Sequence, residues 1–226
     1  MCLIQIGSGS ANLDTNFQDG FSNFIIKNKF DKKVFLIEAN SIHLDNLKKF
    51  YQKDKNVRII NLAIIPDNVD LKNMDFFYCL EDTPNFQIFS NSRSFVKKHF
   101  PNGTIKKKTV ECLKISEFFK SNNITNIDFL SIDIEGMDYE VLFNLDLNEF
   151  NIKNISFEHI HLGFLKKLQI IYKLTKYNYY FSGMGFDLKK SDWMFSKGKK
   201  SHKLITYLLP ITPRRIWKKY KFSELL

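Results

Sequence analysis

The sequence predicts an α/β fold with a mostly parallel, doubly wound sheet, and two observations lead there. Short apolar runs and helix-spaced apolar residues alternate along most of the 226 residues, as repeated βα units require. Within that alternation, Phe129-Leu-Ser-Ile-Asp-Ile-Glu-Gly136 is an unbroken β-prone run ending in two carboxylates and a glycine. A strand without polar alternation is buried on both faces, like the central strand of a parallel sheet. Burying Asp133 there without a partner would be costly. Its expected place is therefore the strand's exit, where open α/β sheets bind ligands.

The elements follow in order. Residues 3–6 make a short strand closed by Gly7-Ser-Gly9, and Phe17, Phe21, Phe24 and Ile25 then recur at helical spacing. Residues 34–37 form a second strand with Glu38 at its end. Asn40 or Ser41 can cap a helix carrying Leu44, Leu47 and Tyr51. A third strand, 57–60, ends at Asn61-Leu-Ala63. Residues 65–108 interrupt the rhythm with three of the five prolines and one strand-like run at 74–79. An insertion or lid is expected there, with Tyr78, Ser90, Ser92 and Arg93 offered to a hydroxylated ligand; a solvated loop is the plain alternative. The alternation resumes with a helix at Ile115, Phe118 and Phe119, the strand 127–133, and a helix at Val141, Leu142 and Leu145. A strand at 155–159 and a helix at Leu165, Leu168, Ile171 and Tyr172 follow, and residues 179–181 and 193–195 are expected to close the sheet.

The length suits one large domain, expected over residues 1–196. Hydrophobic content of 44% and charged content of 26% are those of a globular protein. No apolar run approaches the ~20 residues that span a bilayer. Cys2, Cys79 and Cys112 are widely spaced and lack CxxC pairs, so neither a disulfide framework nor a zinc knuckle is expected. A strand-like start without a basic leader argues against a signal peptide; a cytoplasmic setting is the expectation. The net charge of +10 is uneven: from Lys197 onward nine Lys/Arg face Glu224 alone. This basic tail, residues 197–226, interleaves Trp217 and Tyr220 with cations. That suits peripheral contact with an anionic membrane at its inner face; nucleic acid is a less favoured partner, and a solvated terminus is the plain alternative.

Three constellations can carry chemistry. Gly7-Ser-Gly9 permits a tight turn and close backbone approach to a ligand, although an ordinary turn would look the same. Asn12 stands where a complete dinucleotide fingerprint needs glycine, which disfavours a pyrophosphate cradle. Glu38 can accept hydrogen bonds from ribose hydroxyls. Its separation from Gly9 exceeds the ~20 residues of nicotinamide enzymes, and the polar stretch 12–20 can absorb the excess. Asp133 and Glu135, with Glu158, His159 and His161 at the next strand's exit, suit general-base catalysis or a hard cation. Purely structural histidines are the alternative, and His99 reads as surface.

Several blocks stand in the order and approximate spacing of FkbM-type methyltransferases, which residues 3–195 resemble. They are Ile4-Gln-Ile-Gly-Ser-Gly9, Leu36-Ile-Glu-Ala-Asn40, Asn61-Leu-Ala-Ile64, Thr109-Val-Glu-Cys112, Ile132-Asp-Ile-Glu-Gly136 and Phe157-Glu-His159. The resemblance implies a Rossmann-like class I fold and S-adenosylmethionine-dependent methylation of a hydroxyl on a sugar, glycan or small metabolite. It also implies that Gly7 and Gly9 approach the methionine portion of the cofactor, Glu38 holds the ribose, and Asn61 and Ala63 line the adenine. Asp133 would face the sulfonium with Glu135 beside it. Gln5, Ser8 and Ser10 depart from the family's usual residues.

Methyl transfer to an alcohol needs alignment and removal of a proton. His161 or Glu135 is the expected base, with Asp133 orienting substrate or cofactor. A divalent cation on Asp133, Glu135 and Glu158 is a less favoured alternative. The competing readings are a nicotinamide-dependent oxidoreductase and a catalytically degenerate methyltransferase fold that serves as a binding module.

Overall fold

The computed structural model describes residues 1–11, 20–28, 31–84, 87–186 and 192–198. Its main sheet contains β1 (Cys2–Ile6), β2 (Lys33–Glu38), β3 (Val57–Asn61), β7 (Asn126–Ile132), β8 (Asn151–Glu158), β9 (Tyr179–Met184) and β10 (Asp192–Lys197). Their order is β3-β2-β1-β7-β8-β10-β9. The first five strands pair in parallel, and β10 runs antiparallel between β8 and β9. The chain builds outward from β1 to β3, then returns to β7 on the other side. The topological switch point therefore lies between β1 and β7, which places a ligand crevice at their carboxyl ends.

Side-chain alternation explains why the central strands are apolar throughout. On β1 and β2, Ile4, Ile6, Phe35 and Ile37 enter one buried cluster with Phe118, Phe119, Leu142 and Ile170. Leu3, Val34 and Leu36 point the other way, into a cluster with Phe21, Phe24 and Leu47. Both faces are covered, so period-2 polarity vanishes.

Helices α1 (Gly20–Asn28), α2 (Leu44–Phe50), α4 (Ile115–Ser121) and α5 (Asp138–Asn144) bury apolar residues anticipated from their spacing. The Asn40 side chain accepts from Ile42 N and caps the short turn before α2. For α6 (Phe164–Lys176) the helix is where the sequence puts it, but the buried face differs. Ile170, Ile171 and Leu174 are buried, while Leu165 and Tyr172 are 74% and 73% exposed. Spacing alone did not separate the two apolar stripes of this helix.

The interruption at 65–108 is a folded unit rather than an irregular lid, and it extends further. Strands β4 (Ala63–Ile65), β5 (Asn73–Cys79) and β6 (Ile105–Lys114) form a second sheet in the order β4-β6-β5, and α3 (Arg93–His99) contacts β5 and β6. The ten-residue β6 escapes a hydrophobicity reading because Lys106, Lys107, Lys108 and Thr109 are all exposed. Its register is held instead by β5 and by Asp75, which receives bonds from Lys107 Nζ (2.8 Å) and Thr109 Oγ1 (2.6 Å).

Asp128 illustrates a charge built into this frame. Burial works against its ionisation, but Lys153 (2.7 Å) and Lys32 (3.1 Å) outweigh it and hold the carboxyl below its usual range. Replacing Asp128 with alanine is expected to cost about 1–3 kcal/mol in denaturant unfolding at pH 7, with the difference shrinking as acid protonates the wild-type carboxylate. An unchanged midpoint would refute this.

The basic tail beyond residue 198, Phe17, and the stretch 12–19 lie outside the described residues. No described helix is long and apolar enough to cross a membrane.

Candidate functional site

The loop leaving β1 is shaped by what lies against it. Gly7 has φ +82°, and a Cβ built there would sit 1.6 Å from the Asp133 carbonyl oxygen. The exits of β1 and β7 thus touch backbone to backbone, tied further by Asp133 N donating to Ile6 O at 2.9 Å, while Gly7 N donates to Ile37 O of β2 at 2.9 Å. Only glycine satisfies both the dihedral and the space. Gly9 also has positive φ, +56°, but open space surrounds its Cβ position.

Glu38 ends β2 and turns back into this loop. Its Oε2 accepts from Gly9 N at 2.8 Å and its Oε1 from Asn40 N at 2.7 Å. The residue is 6% exposed. Burial pushes its carboxyl up to about 7, against opposing backbone bonds from Asn40, Gly9, Ser8 and Ala39. Asn61 is exposed, and its amide donates to Glu38 O (2.7 Å) and Ala39 O (3.1 Å). Ala63 is buried in β4 within the core.

Asp133 lies one residue beyond β7, at the exit where the sequence places it. Burial raises its carboxyl well above the usual range, reinforced by the charges of Asp138, Asp192, Glu158 and Glu135. The strand has ended before Glu135, which adopts φ +49°, so the two acidic side chains no longer share a strand face. Ser90 Oγ donates to Glu135 O at 2.9 Å. Ser90 is fully buried, which corrects its expected place among ligand-contacting groups: it secures this turn. Ser92 is likewise structural in its bonding, capping α3 through Phe95 N.

Glu135, Glu158 and His161 converge. One ligand-capable atom from each lies within 4.8 Å of the others, and His161 Nε2 is 3.6 Å from Glu158 Oε2. Burial, then the charges of His99 and Lys98, lowers the proton affinity of His161. Burial raises the Glu135 carboxyl, with His99 opposing. The two neighbouring histidines divide in role. His159 is buried and stacks on Trp193 at 4.4 Å, a packing position. His99 is exposed as expected, yet its ring centroid is 6.4 Å from that of His161, so it borders the cluster.

Two features escaped the sequence reading. Asp138 is 3% exposed; its Oδ1 accepts from Ile134 N (3.1 Å) and its Oδ2 from Gly136 N (3.4 Å). It folds the acidic turn, and an aspartate two residues past Gly136 is the signal that announced it. Ser10 Oγ and His43 Nδ1 form a buried 2.5 Å pair that anchors the glycine loop to the turn after β2. Burial lowers His43 to about 4, so its ring is neutral. Nothing in the sequence joins residues so far apart.

The glycine loop, Glu38 and Asp133 flank the switch point of a parallel sheet, and the carboxylate–histidine cluster lies at the exits of β7 and β8, the end of the sheet at which open α/β folds bind ligands. The methyltransferase FkbM domain matches residues 9–186, and the chain belongs to that family. Among solved structures, M. capricolum TrmK in complex with the natural cofactor product S-adenosyl-homocysteine is similar. The match has 13% identity and a TM-score of 0.46, and covers 92% of this chain and 67% of that one. No curated protein matches the chain.

Proposed function

We propose that the chain is an S-adenosylmethionine-dependent O-methyltransferase acting on a hydroxyl of a sugar, glycan or small metabolite. The observation that supports this reading is the backbone contact of Gly7 with Asp133, which sets two groups of residues at neighbouring strand exits. The Gly7–Gly9 loop and Glu38 form one, and Asp133 with the Glu135–Glu158–His161 cluster forms the other. In this reading the loop receives the methionine portion and Glu38 takes the ribose. Asn61 borders the adenine and Ala63 contributes through its backbone. Asp133 faces the sulfonium, whose positive charge offsets the crowded carboxylates. The cluster activates the acceptor hydroxyl, and alignment of oxygen, methyl and sulfur supplies much of the acceleration.

Calorimetry on the full chain tests the first half: S-adenosylmethionine is expected to bind at one site and NAD not to bind. Binding of neither would favour a non-catalytic module. Mass spectrometry across a panel of sugars then seeks acceptors that gain one methylene in mass. Replacing His161 with alanine is expected to lower turnover by about 10²–10⁴-fold with cofactor affinity unchanged. Full activity in that variant would remove His161 from the mechanism.

A further inference from the structure

Building on this methyl-transfer reading, we infer that Glu135, Glu158 and His161 bind one divalent cation of the manganese class, which holds the acceptor hydroxyl. The donor set is mixed rather than merely acidic: two carboxylates and an imidazole, one atom of each within 4.8 Å of the others. Such oxygen–nitrogen sets suit first-row divalent ions. An ion about 2.1 Å from each atom needs ligands roughly 3–4 Å apart. The 3.6 Å His161–Glu158 pair meets this already, while it is too long for the hydrogen bond of a carboxylate–histidine dyad.

The three ligands come from separate backbone points: the left-handed turn after β7, the last residue of β8, and the loop entering α6. Two of them have supporting neighbours. Ser90 Oγ holds the Glu135 carbonyl, and the Phe95 ring meets the His161 ring edge-on at 5.2 Å. Asp133, one strand exit away, feels the charges of Asp138, Asp192, Glu158 and Glu135. Lys98 and His99 of α3 act on the cluster from the rim. The crevice is thus locally acidic in a chain of net charge +10.

Three protein ligands leave coordination positions for water and for a hydroxyl oxygen. A cation there lowers the hydroxyl's pKa and positions its oxygen. The O–H bond breaks and its proton leaves to water. The new C–O bond forms as the methyl–sulfur bond breaks, and sulfur departs as a neutral thioether. No electron acceptor is needed.

The test is Mn²⁺ titration of metal-stripped full-length protein without cofactor, followed by loss of the free-ion electron paramagnetic resonance signal. One equivalent is expected to bind, and Glu135→Gln, Glu158→Gln and His161→Ala each to weaken binding at least tenfold. Melting temperature is measured for each variant, and those that keep the wild-type value decide. Absence of saturable Mn²⁺ binding, unchanged binding in the folded variants, or activity undiminished by EDTA overturns the site. Calorimetry with S-adenosylmethionine separates the two readings. Cofactor binding without Mn²⁺ binding removes only the metal; Mn²⁺ binding without cofactor binding removes only the methyl-transfer reading.

Discussion

Replacing Gly7 with alanine is expected to lower the melting temperature by about 6–20 °C and to abolish cofactor binding. The backbone there has φ +82°, which an L-residue adopts at a cost of roughly 1–2 kcal/mol. The added Cβ would also stand 1.6 Å from the Asp133 carbonyl oxygen. That atom belongs to backbone, so no rotamer change relieves the overlap, and the exits of β1 and β7 must separate. Together these place the loss at about 3–5 kcal/mol, and each kcal/mol moves Tm by about 2–4 °C at this chain length. Gly9 is the internal control. Its φ is +56° but its Cβ position is open, and Ala11 already holds φ 57° in the same loop. Gly9→Ala should therefore cost only the dihedral term, and equal Tm shifts in the two variants would refute the backbone-contact argument.

Replacing Glu38 with glutamine is expected to weaken S-adenosylmethionine binding by about a hundredfold, since a charge-assisted hydrogen bond contributes roughly 1.5–3 kcal/mol. In the native protein both carboxylate oxygens accept backbone N–H groups, from Gly9 and Asn40. An amide turns one acceptor into a donor facing another donor. The same substitution has a signature in pH. The folded pKa of Glu38 is about 7, above its ordinary 4.5. Between those values the native state holds a proton that the unfolded chain has released. Stability from this group is thus fully present below about 4.5 and declines as pH rises towards 7, by about 3 kcal/mol in all. Denaturant unfolding at pH 5 and pH 7 should show a smaller decline in Glu38→Gln than in wild type. Identical declines would show that the buried carboxyl is not the cause.

Much of the frame was legible because it rests on local periodicity. Leu3, Ile4, Val34 and Leu36 read as strands buried on both faces, and Phe118 with Phe119 as a helix face, without knowledge of their partners. Where local pattern is ambiguous, the reading failed. On α6 the stripe of Leu165 and Tyr172 is as apolar as that of Ile170 and Leu174, and only packing against β9 and α5 selects the second. The lysine-rich β6 is a strand because β5 and β4 flank it, not because of its own composition.

The site divides along the same line. Gly7, Gly9, Glu38 and Asp133 were visible because each follows an apolar strand, and a chain that leaves a buried strand brings its polar residues to the sheet's edge. Asn61 and Ala63 were placed by family likeness alone. The structure gives the first an exposed position at Glu38 and buries the second in another sheet.

By itself, the sequence determined the alternation of elements, the buried central strands and the acids at their exits, all set by side chains within a few positions of one another. Tertiary structure alone decided that Gly7 meets Asp133, that Ser10 meets His43, and that His161 joins Glu135 and Glu158 while the neighbouring His159 packs under Trp193. Those pairings join residues far apart in the chain, and the close packing of strand ends, which no local pattern encodes, brings them together.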